Sequence, residues 1–265
     1  MTEKMDAIDV YDAQTARVGV IILGAGAGKR MKSGDVPKIL VPLRGKPMIS
    51  HILDTLRFVA VDQHPIIVVG FKADTVKEAL GDGYTYVHQF ESLGTGHAVM
   101  QAYEAARNLY DHIVVLYGDQ PCITAGVVNE LVATHLRERA TMTLMTIAVP
   151  DFDGWRAGLY NFSRVIRDAR GAIIRTVERK DATDAELEIK ELNPAYFCFR
   201  ADWLWDQLPK LENKNAQDEY YLTDLLEVAT KSGEYVASFV GDASAALGAN
   251  TQEELKLLEQ IVAEN

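Results

Sequence analysis

Cysteine is nearly absent from this 265-residue sequence: Cys122 and Cys198 stand alone and far apart. Two such residues make neither a CxxC pair nor a zinc spacing, which excludes a disulfide scaffold and predicts a reduced, cytoplasmic setting. Cys198 lies in the apolar run Tyr196-Phe197-Cys198-Phe199 and reads as strand core, not as a nucleophile. Long hydrophobic runs are missing too; none approaches the roughly 20 apolar residues that span a bilayer. The first 17 residues mix acidic and polar groups without an apolar segment, so they are expected to form a mobile extension and not a signal peptide. Positive charge is scarce. With 27 Lys and Arg against 38 Asp and Glu, the formal net charge is −11, which argues against nucleic acid or an anionic membrane as partner. Any anionic ligand must therefore be held by a local cluster of cations. Internal repeats, low-complexity tracts and hexapeptide β-helix periodicity are also lacking.

What is present suits a single large α/β domain: 48% of the residues are hydrophobic and 25% charged. Gly19 to Leu23 is a continuous apolar run, expected to be a strand buried on both faces. Further strands are predicted at 66–69, 84–88, 112–117 and 142–149. Helices are predicted from Pro47 and over 73–80, 96–109 and 125–139. This βα alternation predicts a Rossmann-like, mostly parallel mixed sheet with helices on both faces and the functional loops along one edge. The second half is less regular. Strands near Val165, 173–178 and 196–199, and helices near 203–208, 222–231 and 251–262, read as a smaller lobe built onto the sheet. The division falls between residues 18–149 and 150–265.

The unusual residues fall in the predicted strand-end loops. Gly24, Gly26 and Gly28 directly follow the first strand, where bare backbone N–H groups can approach a phosphate. The loop is not a P-loop, since Leu23 stands at the first required glycine and Arg30 replaces Ser/Thr; nor is it a dinucleotide fingerprint. On its own it reads equally well as a plain strand–loop connection. However, Lys29, Arg30, Lys32, Lys38, Arg44 and Lys46 crowd beside it in an otherwise acidic chain; such a run is either a solvated face or what a triphosphate would require. Tyr117-Gly118-Asp119 puts an acid at the carboxyl end of a buried strand. There it can hold Mg²⁺ through few protein ligands, or merely cap the turn before Pro121. Gln89 and the segment Leu93 to Ala98 offer an amide edge, bare backbone and a helix start to a flat base. His97 there reads as a packed or capping residue. Glu178, Asn193 and Asn250 are polar groups suited to hydroxyls or a metal.

Taken together and in this order, these stretches resemble the sugar nucleotidyltransferase family. The resemblance is nearest to the uridyltransferase part of the bacterial bifunctional N-acetylglucosamine-1-phosphate uridyltransferases. It runs from about Val18 onward and is carried by Leu23 to Met31, Pro37-Lys38, Leu93 to Ala98, Tyr117 to Asp119, Val177 to Asp184 and Asn215 to Asp224. The resemblance implies UTP and a sugar 1-phosphate as substrates and Mg²⁺ as cofactor. Arg30 and Lys38 would be catalytic, holding the phosphates. Leu23, Ala25, Gly26, Gln89, Gly94 and Thr95 would hold the nucleoside; Tyr117, Glu178 and Asn193 the sugar; Asp119 and Asn250 the metal.

The sequence departs from the family pattern near the expected sugar. Asn161-Phe162-Ser163-Arg164 stands where the family has Gly-Tyr-Gly-Arg, and Pro194-Ala195 follows Asn193 in place of Thr-Gly. Lys29 replaces a small hydroxyl residue. The acetyltransferase β-helix is absent, so only the nucleotidyl step is expected, in a monomer or dimer. Two alternatives stand beside this reading: the same chemistry with another sugar 1-phosphate or nucleotide, and an inactive nucleotide sensor.

Overall fold

A computed structural model describes residues 16–26, 28–31 and 34–264. Most of the expected N-terminal extension and Lys32 lie outside the described residues. The first strand, β1 (Val18–Gly24), is buried along its whole length. Its side chains alternate between two cores, as the two-residue period of a strand requires. Val20 and Ile22 join one apolar cluster, and Ile21 and Leu23 the other.

Beyond the small hairpin of β2 (Pro42–Leu43) and β3 (Lys46–Pro47), helix α1 (Met48–Leu56) starts after Pro47. It buries Ile49, Ile52, Leu53 and Leu56 in the first core. β4 (Ile66–Val69), α2 (Ala73–Leu80) and β5 (Thr85–His88) follow. The predicted helix over 96–109 is two pieces, α3 (Thr95–Gln101) and α4 (Tyr103–Ala106). The bond from Ala102 N to Val99 O tightens the last turn of α3 and ends it. α3 packs Ala98 and Val99 into the second core, on the opposite face from α1.

β6 (His112–Tyr117), α5 (Ala125–Arg137) and β7 (Met142–Ala148) complete the first half. The remaining strands are β8 (Ser163–Arg167), β9 (Ile173–Val177), β10 (Glu191–Asn193), β11 (Phe197–Arg200) and β12 (Val236–Gly241). They alternate with helices α6 (Asp184–Leu187), α7 (Ala201–Gln207), α8 (Asp224–Lys231) and α9 (Gln252–Glu264). β10, β12 and α6 are additional to the elements expected from sequence.

All but the β2–β3 hairpin join one sheet of order β5-β4-β1-β6-β11-β7-β10-β8-β9, with β12 parallel to β7. β11 slots between β6 and β7, antiparallel to both, and pairs Phe197 with Val115 on one side and Leu144 on the other. β1, β4, β5, β6, β7 and β12 therefore all point the same way. The second half does not make a sheet of its own; its strands extend the first. Gly24 and Tyr117, the last residues of β1 and β6, end at one edge of this sheet, where open parallel sheets bind ligands.

Candidate active site

At that edge Gly118 N donates to Leu23 O at 2.9 Å, tying the loop before Asp119 to β1. Two short 3₁₀ turns follow β1, over Lys29–Met31 and Lys38–Leu40. Ile39, Leu40 and Val41 are buried, so they fix the backbone that carries Lys38. The ammonium of Lys38, itself only 8% exposed, meets the carboxylate of Asp119 and donates to Asn250 Oδ1 at 2.7 Å. Arg30, exposed, donates to the same Asn250 oxygen at 3.2 Å. The start of α9 is pinned to the first turn by Gln252 Nε2, which donates to Met31 O at 2.9 Å. Ala249 N donates to Asp119 O at 3.1 Å. Gly248 is required here: a Cβ would stand 2.5 Å from Asp119 O. The structure thus brings together Arg30, Lys38, Asp119 and Asn250, residues up to 220 positions apart.

Asp119 and Asn250 fit a hard divalent cation. Both present oxygen donors, both already converge on one positive group, and Mg²⁺ takes few protein ligands alongside water and phosphate oxygens. Among the described residues no group of three or more His, Cys, Asp or Glu could hold a metal. A cation here would therefore depend on its substrate for much of its coordination.

Beside this cluster lies a cavity of about 280 Å³. Tyr117, Asp119, Asn250, Glu178 and Asn193 all line it, as do Thr95 and Gln120. Burial raises the Glu178 carboxyl to about 7, against the bond donated by Thr223 Oγ1 at 2.9 Å; Asp224, Asp181 and Glu219 push it the same way as burial. Asp224 is raised to about 6, first by burial and then by Glu227 and Asp181. Burial also holds the Tyr117 hydroxyl well above its ordinary range, so it stays neutral. Asn193 is 2% exposed; its Oδ1 accepts from Ala195 N at 2.8 Å, and its Nδ2 has no partner among the described residues. Ser163 is buried in the same wall, and Ala195 has a left-handed φ of 68°.

The residues expected to face a base form a separate brace. Gln89 Nε2 donates to Gly94 O at 3.1 Å and meets His97 Nδ1 at 3.0 Å. Gly94 has φ 104°, and a Cβ on it would lie 2.6 Å from Tyr220 O, so no other residue suits this turn. Thr95 Oγ1 accepts from Leu222 N at 3.0 Å, and Thr95 alone of these residues reaches the cavity. His97 is a packed residue: its Nε2 meets Gln101 Nε2 at 3.1 Å. Leu23 is buried, Ala25 half-buried and Gly26 exposed at the end of β1.

Sequence reasoning overlooked Gln120 and Thr223. Gln120 carries no motif signal beyond its place after Asp119. Thr223 falls inside the stretch Asn215 to Asp224 that carried the resemblance, so that stretch was its signal.

A strand-end cradle of bare backbone and cations, with an acid and an amide oxygen facing a polar cavity, defines a nucleotidyltransferase. The similarities agree. The family described as MobA-like NTP transferase domain matches residues 20–229, and this chain belongs to it. It is 39% identical over 245 residues to the bifunctional protein GlmU of Desulfotalea psychrophila, covering 92% of this chain and 70% of that protein. Against the bifunctional protein GlmU of Brevibacillus brevis it is 37% identical over 92% of this chain. There it spans 51% of the relative, and about half is its usual share of these curated relatives. The crystal structure of UDP-glucose pyrophosphorylase complexed with UDP-glucose superposes with a TM-score of 0.75 at 15% identity, covering 94% of this chain and 99% of that one. That likeness establishes the shared fold.

Proposed function

We propose that the chain converts UTP and N-acetylglucosamine 1-phosphate into UDP-N-acetylglucosamine and pyrophosphate, with Mg²⁺ as cofactor. The convergence of Arg30 and Lys38 on Asn250, and of Lys38 on Asp119, beside a cavity that Asp119 and Asn250 line together with Glu178 and Asn193, carries this reading. The sugar 1-phosphate oxygen attacks the α-phosphorus in line, and pyrophosphate leaves. Such a displacement needs no covalent protein intermediate; position and charge neutralisation supply the rate. Arg30 and Lys38 would bind the phosphoryl oxygens and offset the charge that develops on them. Mg²⁺, held by Asp119 and Asn250, would supply Lewis-acid neutralisation when bound. Glu178 and Asn193 would orient the sugar through its hydroxyls, while Gln89, Gly94 and Thr95 would shape the nucleoside side. No described helix is long and apolar enough to cross a membrane.

The test is pyrophosphate release with Mg²⁺ across a grid of nucleoside triphosphates and sugar 1-phosphates. Fast release confined to UTP with N-acetylglucosamine 1-phosphate is the expected result. Release with a different pair keeps the chemistry and rejects the substrate assignment. Nucleotide binding without release from any pair rejects the enzymatic reading in favour of a sensor.

A further inference from the structure

A buried polar atom without a partner is costly, so a native fold keeps few of them. Two such atoms belong to residues that line the same cavity: Gln120 Oε1 and Asn193 Nδ2. The orientation of each amide follows from what its other end touches. Gln120 Nε2 donates to Pro194 O at 3.2 Å; a carbonyl can only accept, so the nitrogen faces Pro194 and the oxygen is left over. Asn193 Oδ1 accepts from Ala195 N, which can only donate, so Nδ2 is left over. Both residues are more than nine-tenths buried. The backbone beneath Gln120 is held in turn by the Ala249 bond to Asp119 O and by Gly248, whose added Cβ would lie 3.0 Å from Gln120 Cγ. Two residues of the cavity wall therefore each keep one polar atom, an acceptor on Gln120 and a donor on Asn193, without a partner among the described residues.

We propose that Gln120 determines acceptor specificity: its Oε1 accepts a hydrogen bond from an O–H or N–H of the sugar, in company with the donor Nδ2 of Asn193. This rests on reading the cavity as the sugar 1-phosphate site. A hydroxyl or an acylamino N–H satisfies Gln120; a carboxylate or second phosphate has no proton to give and is rejected there. The residue after Asp119 thus filters neutral, proton-donating substituents beside the groups that handle charge.

The test is a cycle between enzyme and substrate variants. Gln120→Met, which nearly conserves volume, is compared with the wild type on N-acetylglucosamine 1-phosphate, glucose 1-phosphate and their singly deoxygenated analogues. Gln120→Leu serves if the Met variant fails to fold. The variant is expected to raise KM for the preferred sugar about 10-fold or more and to leave KM for the nucleotide unchanged. The difference between enzymes should vanish for the one analogue that lacks the donating group. Loss of the difference on removing the 2-substituent identifies an acylamino or 2-hydroxyl donor; loss at another carbon identifies that hydroxyl. An unchanged KM, or an equal rise with every analogue, overturns the proposal, the latter marking a purely structural effect through the Pro194 turn. Wild-type enzyme that turns over no sugar 1-phosphate overturns the functional reading itself and this inference with it.

Discussion

On the side of β1 the site is made of charge: Arg30 and Gly26 are exposed, and the buried Lys38 meets an Asp119 carboxylate that is a quarter exposed. On the far side it is made of buried, hydrogen-bonded groups: Asn193, Gln120 and Ser163 are nearly sealed, and Glu178 is held up to about 7 by its surroundings. The two sides suit different ligands. A triphosphate carries its charge into any orientation and would be met by the exposed Arg30, which can follow it, and by Lys38, which is held in place by Asp119 and Asn250. A sugar hydroxyl is neutral and is distinguished from its neighbours only by donors and acceptors that cannot move.

Removing a cation should break the contrast most severely. Arg30→Ala or Lys38→Ala is expected to lower kcat at least about 100-fold, the scale of a lost transition-state donor. For Arg30→Ala the melting temperature should shift by less than about 5 °C, because that exposed side chain supports no apolar core. Near-normal turnover in either folded variant would remove that residue from catalysis. A smaller effect sharpens the acceptor side. Glu178 binds a proton below about pH 7, so kcat/KM for the sugar should fall tenfold per unit below that pH and level off above it. Glu178→Gln should lower the plateau and erase this acid limb; an unchanged limb assigns it to another group.

The smallest effect on catalysis is expected from a pair outside the cavity. His112 Nδ1 meets His135 Nε2 at 3.0 Å, and His135 Nδ1 meets Thr143 Oγ1 at 2.9 Å. Burial first, then His112 and Arg200, lowers His135 to about 3, and burial lowers His112 against the pull of Asp111 and Asp202. The folded protein keeps both rings neutral, so their stabilisation is complete above the unfolded value near 6.5. It is lost as pH falls from there toward 3, because the unfolded chain gains protons that the folded one refuses. Melting temperatures between pH 7.5 and 5 should therefore drop more steeply for wild type than for His135→Gln, with activity at pH 7.5 unchanged. Parallel melting curves would clear the pair of any role in acid sensitivity.

Much of the first half was legible because continuous apolar runs and helical periodicity coincide there with real elements; Ile66–Val69 and Ala73–Leu80 fall where the pattern puts them. The second half was harder for physical reasons. β10 has only three residues, too few for any period, and β12 is only partly buried, so Val236 to Gly241 lacks a clean apolar signature. α6 is short and announces itself mainly by the Thr183–Glu186 capping box. In the site, residue types were readable and partnerships were not. A glycine loop beside cations is visible in sequence, but nothing local says that Lys38 reaches Asp119 and Asn250. Gln120 was invisible for another reason: its importance lies in an oxygen left without a partner, which only packing reveals.

The insertion of β11 bears on how the molecule comes into being on the ribosome. β6 and β7 are made early, yet they cannot be neighbours; a slot of one strand's width must wait between them until residues 197–200 emerge. Such long-range pairings fold slowly. Asn250 arrives later still, so the cleft is completed only after that residue has emerged. During refolding, far-UV signals from the helices should therefore recover before any turnover returns, and the interval between the two would time the closing of that slot.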